Sequence, residues 1–173
     1  ANNCKVVHNP ASNMKLASGI APVPDMLKAG INVGLGTDGC ASNNNLDIIK
    51  DMSLAAKLHK VARLDPMVMD AQTVVRMATI EGAKVLGMGK VTGSLEVGKK
   101  ADIILIGLNK PHLTPLYNEY SHLVYAASGA DVDTVIINGK IVMENRQLLT
   151  IDESEVMQKV REIAVGIKES LRK

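Results

Sequence analysis

The sequence predicts an α/β fold: two parallel strands with their helices, then a separate β element, then a closing helix. Three observations carry this. Two short apolar runs, residues 4–8 and 31–35, are separated by a polar stretch and a helix-length segment, the order of a crossover between parallel strands. Beyond Gly87 the helical period is lost, and Asn138-Gly139 falls between two apolar runs as a two-residue hairpin turn. Near the end, Val156, Val160, Ile163, Ile167 and Leu171 recur at steps of 4, 3, 4 and 4, one stripe of a helix.

In chain order, residues 4–8 read as a short buried strand and 9–19 as a loop rich in Asn, Ser, Pro and Gly. Residues 24–29 form a short helix, with Gly30 just past its end. Residues 31–35 are the second buried strand and 37–45 a polar loop. A helix over 46–61 places Leu46, Ile49, Met52 or Ser53, and Ala56 on one face. Asp70 caps a helix reaching about residue 79. Residues 80–86 continue it or form a second, ended by Gly87 and Gly89. The Gly- and Lys-rich segment 87–100 is the expected boundary. Residues 101–108 (ADIILIGL) then form a buried strand, 132–137 and 140–143 the hairpin, and 147–150 a short further strand after a turn at 144–146. The last helix spans 152–171, with Asp152 and Glu155 as a capping box and Lys168, Arg172 and Lys173 at the negative end of its dipole. A partner helix or the protein's own core would cover its stripe, the core being the expectation.

Composition narrows the function classes. Hydrophobic residues make up 46% of the 173 residues, yet aromatics only 2%, with no Phe or Trp. The core must be built from Ile, Leu, Val, Met and Ala, the nine Met filling irregular gaps. A net charge of +2 provides no electrostatic footprint for nucleic acid. Cys4 and Cys40 form no disulfide framework and have no second Cys at metal-ligand spacing; both are expected reduced and semi-buried near strand ends. No apolar run reaches the roughly 18 residues of a membrane span, and no basic segment precedes an apolar one, which leads to the expectation of a soluble, cytoplasmic protein without a membrane partner. The opening Ala1-Asn2-Asn3, with no start methionine, reads as a chain entered in the middle of a larger fold.

The most informative stretch is Val33-Gly34-Leu35-Gly36-Thr37-Asp38-Gly39. It is a buried strand that stops at a glycine and presents one carboxylate. Asp38 suits either a metal ligand that takes a proton from metal-bound water or the cap of a turn. His8 ends its strand in the same manner; a hydrogen bond to substrate and a structural role are both open. Ser12, Asn13, Ser42, Asn43, Asn44 and Asn45 lie on the loops after the two strands, where such residues position ligands or shape the loop itself. His59 is expected on a solvated helix face, His112 in an irregular segment, and His122 at a subunit or domain contact. The sequence contains neither His-x-His nor His-Glu-x-x-His, so local motifs do not build a three-histidine zinc site.

Three segments carry a family resemblance: HNPASNMKLASG from His8, GLGTDG from Gly34, and SNNNLD from Ser42. The chain resembles the amidohydrolase superfamily, and within it the 5-methylthioadenosine/S-adenosylhomocysteine deaminases of the chlorohydrolase and guanine deaminase group. GSLEVGKKADIILIGL from Gly93 and IINGKIVM from Ile136 are similar to that superfamily's return into its β-sandwich and the following hairpin. The resemblance implies the C-terminal part of a metal-dependent hydrolase TIM barrel over residues 1–90, with strands seven and eight at 4–8 and 31–35. It implies strands of a composite β-sandwich over 91–150 and a C-terminal helix over 151–173. It implies hydrolytic deamination of a purine nucleoside-type substrate by metal-activated water. Asp38 would be both catalytic residue and metal ligand, with His8, Ser12, Asn13 and Ser42 near the substrate. Zn2+ is the expected metal, with Fe2+ the alternative. The superfamily's remaining metal ligands lie upstream of this chain's motifs, so the upstream half of the barrel is required and the chain alone should be inactive. A homo-oligomer is expected on general grounds. The alternatives are a guanine or triazine hydrolase, or a non-catalytic partner or scaffold derived from such an enzyme.

Overall fold

The computed structural model describes residues 4–171. Residues 1–3 and 172–173 lie outside it, and with them the reading of the chain's opening and of Arg172 and Lys173 at the last helix end. β1 (Lys5–His8) and β2 (Asn32–Leu35) pair in parallel, Lys5 beside Asn32 and His8 beside Leu35. Between them run α1 (Pro10–Lys15) and α2 (Val23–Lys28). The segment 9–19 is therefore not all loop. Pro10 stands at the first helical position, where its fixed φ suits the helix and its missing N–H costs no hydrogen bond; that signal outweighs the Asn and Ser around it. A single turn, α3 (Cys40–Asn43), likewise interrupts the expected loop 37–45.

α4 (Ile48–Arg63) begins after Asp47, whose carboxylate accepts from the amides of Ile49 at 3.0 Å and Lys50 at 3.3 Å. Its buried face is Ile49, Asp51, Met52, Ala55, Ala56 and His59, while Leu46 is exposed. Asp70 caps α5 (Ala71–Ala78) by accepting from Thr73 N at 2.9 Å, and α6 (Ile80–Val85) follows. α6 lies hard against β2: a Cβ on Gly34 would come 3.0 Å from the Gly82 Cα.

A second sheet, antiparallel throughout, is ordered β3 (Ile103–Ile106), β4 (Val132–Ile137), β5 (Lys140–Glu144), β6 (Gln147–Leu148). Asn138 and Gly139 have φ of 50° and 77°, the left-handed pair a tight hairpin needs. Between β3 and β4 an unforeseen helix, α7 (Glu119–Tyr125), packs on α4 and α5. It joins the two sheets in one core, in which Val33, Ile49, Ala55, Val74 and Met77 continue into Val124, Val132 and Met143. Met52, Met69, Met77 and Met143 are buried, as the gap-filling reading requires, but Met14, Met67, Met88 and Met157 are exposed, so that reading holds for only part of the nine.

Several expectations of burial fail. β1 and β3 each have a strand partner on one side only, and Val7, Ile104 and Leu105 stand about half exposed (49%, 48% and 52%). Cys4 and Cys40, at the rims of the parallel pair, are exposed rather than semi-buried. α8 (Glu153–Ser170) is capped by Asp152, which accepts from Glu155 N at 3.0 Å. None of its residues is buried. Its stripe of Val156, Val160, Ile163, Ile167 and Leu171 is open rather than laid on the core, which α4, α5 and α7 already close. No described helix is long and apolar enough to cross a membrane.

The Gly34–Gly82 approach yields the first prediction. In Gly34→Ala the new methyl meets backbone, which yields less readily than a side chain. Thermal unfolding should show a loss of about 1–3 kcal/mol; an unchanged melting temperature would remove the claim that β2 and α6 need this contact.

Candidate active site at the ends of β1 and β2

The parallel pairing brings the C-terminal ends of both strands to one edge. Gly36 N donates to the His8 carbonyl at 2.9 Å, extending the pairing one residue past β2. A side chain at Gly36 would put its Cβ 2.5 Å from Asn9 Oδ1 and 2.8 Å from Val7 Cγ1, so a larger residue here would require both side chains to move. Two residues later Asp38 turns outward. It is exposed and holds a left-handed φ of 61°, uncommon for a residue with a Cβ.

The carboxylate is held by both oxygens. Oδ2 accepts from Ser12 Oγ at 2.7 Å and Oδ1 from Gly39 N at 2.8 Å. The Ser12 hydroxyl is the largest cause that keeps this carboxyl below its ordinary value of 3.8, followed by Ser42 and the Gly39 amide. Ser42 sits beside the group, although its own hydroxyl donates to the Gly39 carbonyl at 3.0 Å. A carboxylate has about four lone-pair positions; two are used, so Asp38 can still take a cation or a proton. Lys15 ties α1 to α3 by donating to Ala41 O at 2.9 Å and to Asn44 Oδ1.

Of the residues read from the sequence, the structure thus gathers Ser12 and Ser42 at Asp38. Asn13 is half-buried beside Ser12 on α1 and makes no side-chain hydrogen bond to Asp38. His8 points into the protein. It is 2% exposed, and its Nε2 lies 3.1 Å from Nε2 of His59, the rings tilted by 46° with centroids 5.0 Å apart. His59 is 1% exposed, which corrects its assignment to a solvated face. One proton lies between the two Nε2 atoms, so at least one ring is neutral. Burial first, and the His59 ring second, push His8 down to about 4 from 6.5, and burial likewise lowers His59. His8 Nδ1 is buried with no protein partner.

His112 is bonded to other partners: its Nε2 lies 3.1 Å from the buried Asp131 carboxylate, which also accepts from Lys110 Nζ at 2.7 Å. His122 lines a small apolar hollow with Leu105, Leu113 and Leu123. Sequence reading missed Asp51. It is 2% exposed and accepts from Ala11 N at 3.2 Å and Asn43 Nδ2 at 3.0 Å. The available signal was spacing: Asp51 and His59 are eight residues apart, two helical turns, both on the apolar face of α4.

Residues 1–142 match the amidohydrolase family. The chain belongs to the amidohydrolase family. It is 66% identical over 169 residues to a 5-methylthioadenosine/S-adenosylhomocysteine deaminase of Syntrophus aciditrophicus, covering 98% of this chain and 38% of that protein. It is 55% identical over 159 residues to a 5'-deoxyadenosine deaminase of Methanosarcina acetivorans, covering 92% and 36%. Among solved structures, a zinc-bound adenosine deaminase of Xanthomonas campestris superposes with a TM-score of 0.93 at 41% identity, over 95% of this chain and 38% of that one. An atrazine chlorohydrolase of Arthrobacter aurescens with zinc and atraton reaches 0.83 at 30% identity, over 91% and 35%. The chain therefore spans little more than a third of the length of these amidohydrolases.

Asp38, an exposed carboxylate with free lone pairs, fits one position of a zinc site. Among the described residues no group of three or more His, Cys, Asp or Glu could hold a metal.

The histidine pair makes a prediction about pH. A histidine whose pKa is lower in the fold than in the unfolded chain stabilises fully above its unfolded value, and that stability is lost as pH falls toward the folded value. Melting temperature should therefore drop as pH falls from about 6.5 through about 4, and the drop should shrink in His59→Gln. The same pH profile in both proteins would show that the pair is not what titrates.

Proposed function

We propose that this chain is the C-terminal part of a metal-dependent amidohydrolase that deaminates an adenosine-type nucleoside of the 5-methylthioadenosine/S-adenosylhomocysteine class. The observation that carries the reading is Asp38. It is an outward carboxylate at the end of a parallel strand, ionised and oriented by Ser12 and Gly39, on a chain 66% identical to a deaminase of that name. Residues 1–90 are then the last two strands of a (β/α)8 barrel with their helices, the place where such barrels carry catalytic groups. Residues 91–150 supply strands to a composite β-sandwich and 151–173 a closing helix. The remaining barrel strands and metal ligands come from upstream sequence.

In this reading Asp38 is a ligand to Zn2+, the metal bound in two of the similar structures; Fe2+ is the alternative for such a ligand type. When bound, the metal supplies a water acidic enough to lose a proton near neutral pH. Asp38 would receive that proton on its carboxylate, and Ser12, which holds one oxygen, would keep the group's aim fixed while its charge changes. Replacement of the purine amino group by the water's hydroxyl would then let the proton leave with the departing ammonia. Ser42 and Asn13, on the two segments that border Asp38, are the proposed substrate contacts, while His8, buried against His59, would act on them only indirectly.

The test uses the full-length protein carrying this chain, loaded with zinc. Ammonia release should be fastest from 5'-methylthioadenosine, S-adenosylhomocysteine or a related adenosine. Asp38→Asn should lower kcat by roughly 10³-fold or more, and the 173-residue chain alone should release none. Preference for guanine or a chlorinated triazine would move the substrate class, and full activity in Asp38→Asn would remove the catalytic assignment. A chain that only binds a partner, with no hydrolysis by the full-length protein, would favour the scaffold reading.

A further inference from the structure

Asp51 is buried, and among the described residues it has no ion-pair partner. Both of its oxygens face donors from segments that flank Asp38: Ala11 N on one side and Asn43 Nδ2 on the other. Each donor leads directly to the catalytic edge. Ala11 precedes Ser12, whose hydroxyl bonds Asp38. Asn43 spends its second N–H on the Thr37 carbonyl at 2.7 Å, and Thr37 precedes Asp38. The result is a closed ring of contacts running from Asp51 through Ala11 and Ser12 to Asp38, back through Thr37 to Asn43, and again to Asp51.

We propose that Asp51 is a positioning residue for Asp38, fixing from beneath the two segments between which the Asp38 carboxylate is held. The proposal rests on the reading of Asp38 as the catalytic group. Three features support it beyond the bonds themselves. Asp38 keeps a left-handed φ of 61°, a conformation that aspartate adopts at modest cost and that the two flanking segments would have to hold in place. Burying a carboxylate is costly; burial, and in smaller part the charge of Asp47, push Asp51 above its ordinary value of 3.8. A well-packed apolar side chain on this face of α4 would commonly serve stability as well or better, so its presence calls for a task that an apolar side chain cannot perform. That task is to accept two donors at once, which neither an apolar residue nor an asparagine does in this setting, since asparagine would turn an N–H toward one of them.

The experiment compares Asp51→Asn, Asn43→Ala and a control, Val74→Ala, in the full-length zinc-loaded enzyme. Val74 is fully buried on α5 and outside the ring. Asn43 is only half-buried, so its variant should fold even where Asp51→Asn does not. Melting temperature, kcat, KM and zinc affinity by chelator competition are measured for each. The two ring variants should lose roughly 10- to 100-fold in kcat or zinc affinity, with KM within about twofold of wild type. Val74→Ala should lose melting temperature and keep kcat. Ring variants that lose only melting temperature, as the control does, would overturn the proposal. If the wild-type enzyme deaminates nothing, the functional reading fails first, and zinc affinity with amide hydrogen exchange over residues 37–44 still decides. Faster exchange there in the ring variants, absent in Val74→Ala, upholds the ring; equal exchange in all three rejects it.

Discussion

The parallel register that sets His8 beside Leu35 is the constraint on which the candidate site depends. Parallel strands end on the same side, so the segments that follow β1 and β2 must meet there. α1 then delivers Ser12 from one strand, and the turn after Gly36 delivers Asp38 from the other. An antiparallel pair would place these residues at opposite ends of the sheet. The register is held in turn by what lies under it: Gly34 admits α6, and the buried face of α4 supports both strand ends through Asp51 and His59.

The chain is well packed in its middle and unfinished at its margins. An open groove of about 880 Å³ runs between the parallel pair, α5, α6 and β3, lined by Val7, Leu35, Val75, Ile80 and Ile104 among others. None of the residues around Asp38 lines it, so this groove and the proposed chemistry are in different places. β3 offers an unpaired strand edge, and the stripe of α8 is open along its length. Apolar surfaces and free strand edges of this kind favour association in water. They fit a chain that spans 38% of a similar deaminase.

Much of this was legible in the residues because it follows from local rules. The Asn-Gly turn, the caps at Asp70 and Asp152, both parallel strands and the place of Asp38 at a strand end all depend on neighbours close in sequence. What was illegible depends on distant partners. His59 looks solvated beside Lys60 until His8, 51 residues away, is placed against it. Asp51 looks like an ordinary polar position on a helix until Ala11 and Asn43 converge on it. The stripe of α8 predicts burial correctly as a tendency, but periodicity names no partner, and no described residue covers it. α1 shows a further limit: composition argued for a loop, and a single proline at the right position argued for a helix.

In its proposed role Asp38 completes a metal site whose other ligands come from upstream sequence. Native mass spectrometry of the protein from its source, with zinc counted on the intact species, is the decisive measurement. The expected species is far heavier than 18.5 kDa, carries zinc and loses it when Asp38 is replaced by alanine. A species of 18.5 kDa holding zinc by itself, or a heavier one whose zinc is indifferent to Asp38, would contradict that role.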